Sequence, residues 1–361
     1  MNKLYRRLII LLLFVTITLG GLYSTSLPTT AANPDKMEVH FIDVGQGDAT
    51  LITCSGHAML IDSGDDTKGT AIQNYLKKQN IKQLDYLLLT HPDADHIGGA
   101  PVIITKFDID KVFVSNYEKD TKTYQKLIQA LDNKRLKYMT PDVGSQYSLG
   151  TATITILAPN ATYDNPNDAS IACILQNGNN KFLFTGDAGE EAEKDIANNG
   201  LDISADVYHV GHHGSRYSTS KEFFEAVNPD YAVISCGEDN SYGHPHAETL
   251  NTLRMNGVKV YRTDEEGTVI ATSDGKKITF NMPASETWKA GEPTQNSSPK
   301  QEASASIPTE TTYVLNKNTR KFHVPSCSSV DTIKPENRED TMMSREEIIG
   351  AGYVPCKRCN P

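Results

Sequence analysis

The chain has 361 residues, of which 38% are hydrophobic and 22% charged, and a net charge of −10 at pH 7. That length accommodates one large core and an appendage rather than two full catalytic domains. Residues 1–33 carry three Lys/Arg and no Asp/Glu, and residues 311–361 carry eight against six, which leaves −15 on the remainder. Such a body does not draw phosphate backbones to its general surface, which argues against a tight duplex binder.

Lys3, Arg6 and Arg7 precede the apolar stretch Leu8–Tyr23, and Thr30-Ala31-Ala32 offers a small-residue cleavage site. Residues 1–33 therefore read as a signal peptide or N-terminal anchor, and the protein is expected to be secreted or extracytoplasmic. Strands are expected at Met37–Ile42, Ala49–Thr53 and Ala58–Ile61, with a turn at Gly45-Gln46-Gly47. Thr67–Gln79 has helical spacing, Leu84–Leu89 reads as a buried strand, and a helix is expected to start at Gly98-Gly99 and run to Lys106. Lys111–Ser115 reads as a strand and Thr121–Asn133 as an amphipathic helix. Strands at Thr151–Leu157, Ile171–Gln176 and Lys181–Phe184 follow, then the helix Glu190–Asn198 and the strand Val207–Val210. Ser218–Val227 reads as a helix capped by Ser218 or Thr219. The strand Tyr231–Ser235, the helix Ala247–Asn256 and strands at Val258–Tyr261, Thr268–Thr272 and Lys276–Phe280 complete the body. Early strands are consecutive and later ones alternate with helices, which fits an α+β fold of two sheets flanked by helices. Residues 34–281 form this body, 282–310 read as a flexible linker rich in Pro, Ser, Thr, Glu and Gln with Trp288 exposed in it, and 311–361 form a separate module. Cys54, Cys173 and Cys236 sit in apolar runs and read as small buried hydrophobes.

The run Thr90-His91-Pro92-Asp93-Ala94-Asp95-His96-Ile97-Gly98-Gly99 packs two imidazoles and two carboxylates behind the apolar strand Tyr86–Leu89. Four ionisable groups leaving a sheet edge together go unsatisfied unless a cation gathers them. A tight loop can turn His91 and Asp93 toward one ion and Asp95 and His96 toward a second. Asp187 follows the strand Phe182–Phe184, where it could cap the next helix. His212 and His213 follow another strand, and strand alternation does not say which of the two faces the site. His244, in Tyr242–His246, belongs either to the rim of the site or to the entry of a helix. Asp62 could support the metal loop or stabilise a turn, and Ser215 and Ser218 could contact a phosphate.

The run from His91 to His96 resembles the HxHxDH signature of the metallo-β-lactamase superfamily, with Asp93 in place of the second His. Together with Phe41–Ala49, Leu60–Gly64, Phe184–Ala188, Val210–Ser215 and Gly243–Pro245, it is similar to the extracytoplasmic hydrolase domain of ComEC-type DNA-uptake proteins, over Met37–Phe280. The resemblance implies an αββα sandwich, with Asp187 bridging two divalent ions (Mn²⁺ or Zn²⁺) and His212 or His213 as a ligand of the second. The superfamily's further His for the first ion has no counterpart between Ile97 and Asp187; Asn165–Ser170 is the loop at that place. An oxygen-rich first site shifts preference toward Mn²⁺ or Mg²⁺, and oxygen-rich paired ions suit phosphodiester cleavage. The catalytic group is expected to comprise Asp95, His212, His213 and His244. The implied substrate is DNA or another phosphodiester, such as a choline-phosphate ester of the cell envelope. No transmembrane channel accompanies the domain here, so DNA import by this chain alone is not expected. Nothing in the sequence sets an oligomeric state.

His323, Cys327, Cys356 and Cys359 supply a second constellation, H-x3-C with a later C-x2-C, suited to one tetrahedral Zn²⁺. The module has few large apolar residues, so a metal is its natural stabiliser. It resembles the zinc domain of the Ada DNA-repair proteins, including a helix near Ser344–Ala351. His323 stands where that family has its methyl-accepting Cys, so methyl transfer is lost. What the resemblance leaves is a zinc scaffold with DNA contact through Arg320, Lys321, Lys357 and Arg358.

Overall fold

The computed structural model describes residues 36–291 and, within 313–359, all but 326, 328, 342–347, 349, 350 and 357. The expected signal segment and most of the helix near Ser344–Ala351 lie outside the described residues. Among the described residues no helix is long and apolar enough to cross a membrane.

In residues 36–291, β1 (Met37–Phe41), β2 (Thr50–Cys54) and β3 (His57–Ile61) pair antiparallel, and β4 (Gln83–Leu89), β5 (Asp108–Val114) and β6 (Tyr138–Met139) extend the sheet in parallel. The second sheet comprises β7 (Gln146–Leu149), β8 (Ala152–Ala158), β9 (Ala172–Asn177), β10 (Asn180–Phe184), β11 (Val207–His209), β12 (Tyr231–Ile234) and β13 (Lys259–Arg262), adjacent in chain order. The chain then returns to the first sheet with β14 (Val269–Ser273) against β1 and β15 (Ile278–Phe280) at its edge.

Alternation along the strands builds the layers. Met37, Val39 and Phe41 of β1 join Phe182 and Phe184 of β10 in the core between the sheets, whereas Leu51 and Leu183 belong to the outer clusters. The outer face of the first sheet is covered by α1 (Gly69–Lys78), α3 (Ala100–Lys106) and α4 (Lys122–Lys134), following the short α2 (Ala94–Ile97). α5 (Glu190–Asn198), α6 (Lys221–Val227) and α7 (Ala247–Met255) cover the second, and α8 (Thr263–Glu266) follows β13. The result is the αββα sandwich. Burying each large side chain of these clusters contributes roughly 1.5–3 kcal/mol.

Two local expectations are corrected and one is met: the helix expected to start at Gly98-Gly99 and run to Lys106 is α3, with the short α2 before the glycines. A Cβ on Gly99 would lie 2.2 Å from Ser63 O, so this loop is clamped against the turn after β3. α6 begins at Lys221, and neither Ser218 nor Thr219 caps it; Glu193 of α5 instead accepts the backbone N–H groups of Thr219 and Ser220. Finally, residues 282–291, read as linker, belong to the body. Met282 and Ala284 pack on the inter-sheet core, Trp288 packs on the outer one beneath the Arg254 guanidinium, and Gly291 N donates to Pro245 O.

The described residues of 313–359 form a separate compact unit. Its sheet has the order β18 (Arg338–Thr341), β16 (Tyr313–Asn316), β17 (Lys321–His323), β19 (Val354–Pro355), with Phe322 fully buried.

Candidate metal centre

The C-terminal ends of β3, β4, β10 and β11 deliver the polar cluster. Asp62 follows β3 with a left-handed backbone (φ 56°). Its carboxylate accepts from Thr90 N at 2.8 Å and Thr90 Oγ1 at 2.7 Å, and His96 Nδ1 lies 2.8 Å away. The expectation that Asp62 supports the metal loop thus has a geometry: it orients the His96 ring with Nε2 inward. His96 Nε2 is 3.2 Å from Asp187 Oδ1 and 3.3 Å from His213 Nε2. Asp187 is fixed in turn by Gly186 (φ +54°) and by its own N–H donating to Ser170 Oγ. Asp168 Oδ1 accepts from Gly189 N, so the loop 165–170 buttresses the Asp187 turn.

His212 and His213 are both left-handed (φ 52° and 55°), which breaks strand alternation and brings both rings to Asp187. Each Nε2 lies 3.6 Å from Asp187 Oδ2. His213 also lies 3.3 Å from Asp95 Oδ2, and its Nδ1 faces the Ser235 carbonyl at 3.0 Å. A carbonyl only accepts, so Nδ1 carries the proton and Nε2 is left for the cluster. His213 therefore sits among Asp95, His96 and Asp187, while His212, with 16% of its side chain exposed, is the more open of the pair. His91 Nε2 lies 3.8 Å from Asp187 Oδ2.

Two residues of the site carried no expectation as part of it. Asp48 joins His96, Asp187 and His213 in a set whose ligand atoms all lie within 4.8 Å of one another. It arrives there because Gly47, at φ +130°, lets the β1–β2 turn press on the metal loop, where a Cβ would meet Asp95 O at 2.4 Å. Lys119 is the other: its ammonium donates to Asp93 Oδ1 at 2.5 Å.

The electrostatics fit a cation. Buried Asp48 Oδ1, His91 Nε2 and Asp187 Oδ1 have no aligned hydrogen-bond partner. Burial opposes charge on His96, but Asp187 and Asp62 outweigh it and hold the imidazole well above its usual range. The same opposition, won by Asp187 and Asp48, raises His213. Burial and His96 push His91 down to about 4, leaving a neutral ring. A set that demands this much positive charge, with orphaned lone pairs inside it, suits divalent ions. Asp95 and Asp187 stay ionised, the histidines around them overcoming burial.

His244 is at the site's inner rim. Its ring centroid is 5.6 Å from that of His212 and 5.9 Å from that of His213, and Tyr242 stacks on it at 5.5 Å. Burial, then His213 and His212, take its pKa down to about 2. Ser218 donates to Gly211 O and buried Ser215 accepts from Tyr217 N, so both brace the turn.

In the C-terminal unit, His323, Cys327, Cys356 and Cys359 bring their ligand atoms within 4.8 Å of one another, a set that could bind zinc. Burial, then Lys321, lowers His323, which leaves a neutral ring for a metal. Arg320 lies over the Tyr353 ring at 5.0 Å. Lys357 lies outside the described residues.

Comparison with known proteins agrees with this geometry. ComE operon protein 3 of Bacillus subtilis (strain 168) is 30% identical over 265 residues, covering 68% of this chain and 34% of the relative. Recombination protein 2 of Haemophilus influenzae is 31% identical over 240 residues (65% and 28%), and Competence protein ComA of Neisseria gonorrhoeae 29% over 232 (62% and 30%). The chain spans about a third of the length of these relatives. A family model described as the metallo-beta-lactamase superfamily matches residues 42–238, and the chain belongs to that superfamily.

Proposed function

We propose that this metallo-β-lactamase superfamily member is an exported phosphodiesterase working with two divalent ions, and that its substrate is DNA, as single strands or already positioned ends. The observation that carries the reading is the cluster itself: Asp187 at the centre of four imidazoles, with oxygen rather than a further histidine on the His91 side. The name of one relative, a competence protein, supports DNA as the substrate class.

The chemistry such ions supply when bound is polarisation of a phosphoryl oxygen and a nucleophilic water near neutral pH. Hydrolysis forms a bond from water oxygen to phosphorus and breaks the bond to the leaving oxygen, which takes up a proton. His91, Asp93, Asp95, His96, Asp187 and His213 would hold the ions, with Asp48 in the same converging set. Asp62 and the Ser235 carbonyl keep the His96 and His213 rings from rotating. His212, the more exposed imidazole, is placed to donate to a phosphoryl or leaving oxygen. His244 stays neutral and positions His212 through the ring contact. The C-terminal unit serves as a zinc scaffold that adds DNA contact through Arg320, Lys321 and Arg358.

One observation favours a second reading, a cell-envelope phosphodiesterase for a cationic headgroup. A cavity of about 680 Å³ reaches His244, and its acidic lining, Glu238, Asp239, Glu266 and Glu286 among it, outnumbers Arg262 and Lys289, an excess that would repel a nucleic-acid backbone. The purified protein assayed with Mn²⁺, Mg²⁺ or Zn²⁺ on single-stranded DNA, duplex DNA and a phosphocholine ester separates the two. Preferred cleavage of single strands supports the first reading, and preferred cleavage of the choline ester replaces it with the second. No hydrolysis of any phosphodiester with any of the ions removes both.

A further inference from the structure

Asp93 stands where the superfamily motif has its second histidine, and its carboxylate is already engaged by an internal cation. Lys119, in the loop between β5 and α4, donates from Nζ to Asp93 Oδ1 at 2.5 Å. The pair is at the mouth of the site, with 33% and 21% of the two side chains exposed. Behind it, His91 Nε2 is buried without a partner, 3.8 Å from Asp187 Oδ2. The loop 165–170 supplies no histidine there, and its Asp168 Oδ1 and Ser170 Oγ accept backbone N–H groups of the Asp187 turn. The two ion positions are therefore unequal. Around His213 the ligand atoms of Asp48, His96 and Asp187 converge within 4.8 Å, Asp95 Oδ2 lies 3.3 Å from His213 Nε2, and among the described residues no lysine or arginine is ion-paired to any of them. On the His91 side one of the three donors must first give up an ammonium.

We propose that Lys119 is a built-in competitor for the first ion: the chain takes one divalent ion tightly among Asp48, Asp95, His96, Asp187 and His213, and a second only by displacing Lys119 from Asp93. The inference rests on the metal-centre part of the proposed function and is independent of the substrate. Lysine is suited to the role because its ammonium is a compact, strongly hydrated charge on a flexible stem, able to leave a partly exposed carboxylate at modest cost.

The test is a calorimetric titration of the full chain with Mn²⁺, followed in parallel by the paramagnetic resonance of the bound ion. Zinc in the C-terminal cluster is left in place, because thiolate sites hold it against Mn²⁺. The wild type is expected to bind one Mn²⁺ tightly and a second weakly, with the spin-coupled pair forming only at high Mn²⁺. Lys119→Ala should tighten the second equivalent roughly two- to fivefold, the worth of a partly exposed ion pair, and Lys119→Arg should restore weak binding. Asp93→Asn should leave the second equivalent weak whether or not Lys119 is present. Two equally tight ions in the wild type, or an unchanged second equivalent in Lys119→Ala, would overturn the proposal. Neither readout uses turnover, so an enzyme inactive on phosphodiesters would sink the substrate reading without touching this one.

Discussion

Replacing Asp62 by Asn separates orientation of a ligand from the fold around it. The Asp62 carboxylate takes two hydrogen bonds from Thr90 and faces His96 Nδ1 at 2.8 Å, all three buried. An amide of the same shape keeps one acceptor and turns the other into a donor, so at least one of the three contacts becomes donor against donor. The lost bond is charge-assisted and is worth about 1.5–3 kcal/mol. Burial raises the Asp62 pKa, so an uncharged replacement also removes a desolvation cost and returns part of that loss to the fold. The ring of His96 has no such compensation. Loss of its carboxylate partner is expected to weaken metal binding about 10- to 100-fold, or roughly 1.4–2.8 kcal/mol. Competition with a fluorescent chelator measures the affinity, and thermal unfolding of the same sample measures the fold. Metal affinity within twofold of wild type in Asp62→Asn would refute the orienting role.

His244→Gln should lower turnover without moving the pH profile, because a group with a pKa of about 2 is neutral across the assay range; a displaced limb in the pH–rate curve would show that His244 titrates during catalysis. Protein stripped with a chelator should regain activity better with Mn²⁺ than with Zn²⁺, and full recovery with stoichiometric Zn²⁺ would mean that an additional soft ligand completes the first position. Cys327→Ser with Cys356→Ser should release one zinc per chain, measured by a colorimetric chelator. Removing residues 311–361 should leave turnover of a small phosphodiester nearly unchanged while raising the KM for DNA and flattening its salt dependence. Equal KM and salt slopes would leave that unit as a stabilising element.

Much of the centre was legible because its residues sit where strands end. Apolar runs lead directly into His91–His96 and Asp187, and a carboxylate or imidazole leaving a buried strand has few structural uses. Asp48 was not legible, since a carboxylate beside Gly45 and Gly47 reads as turn chemistry; the signal lay in Gly47, whose missing Cβ admits the metal loop. The roles of His212 and His213 were closed to periodicity because two successive left-handed residues abolish the alternation on which such a reading depends. Lys119 gave no signal: one lysine in a polar loop is indistinguishable from its neighbours until the loop is folded onto Asp93. The packing of residues 282–291 was hidden by composition, as Met282 and Trp288 are isolated apolar side chains that find existing clusters rather than build one.

The most direct measurement compares the wild type with Asp187→Ala, on single-stranded DNA and on a small phosphodiester, with Mn²⁺ supplied. Asp187 faces all four imidazoles of the centre, so its removal should abolish hydrolysis of both substrates while far-ultraviolet circular dichroism stays that of the wild type. Activity within tenfold of wild type in a folded Asp187→Ala protein would contradict hydrolysis at this centre.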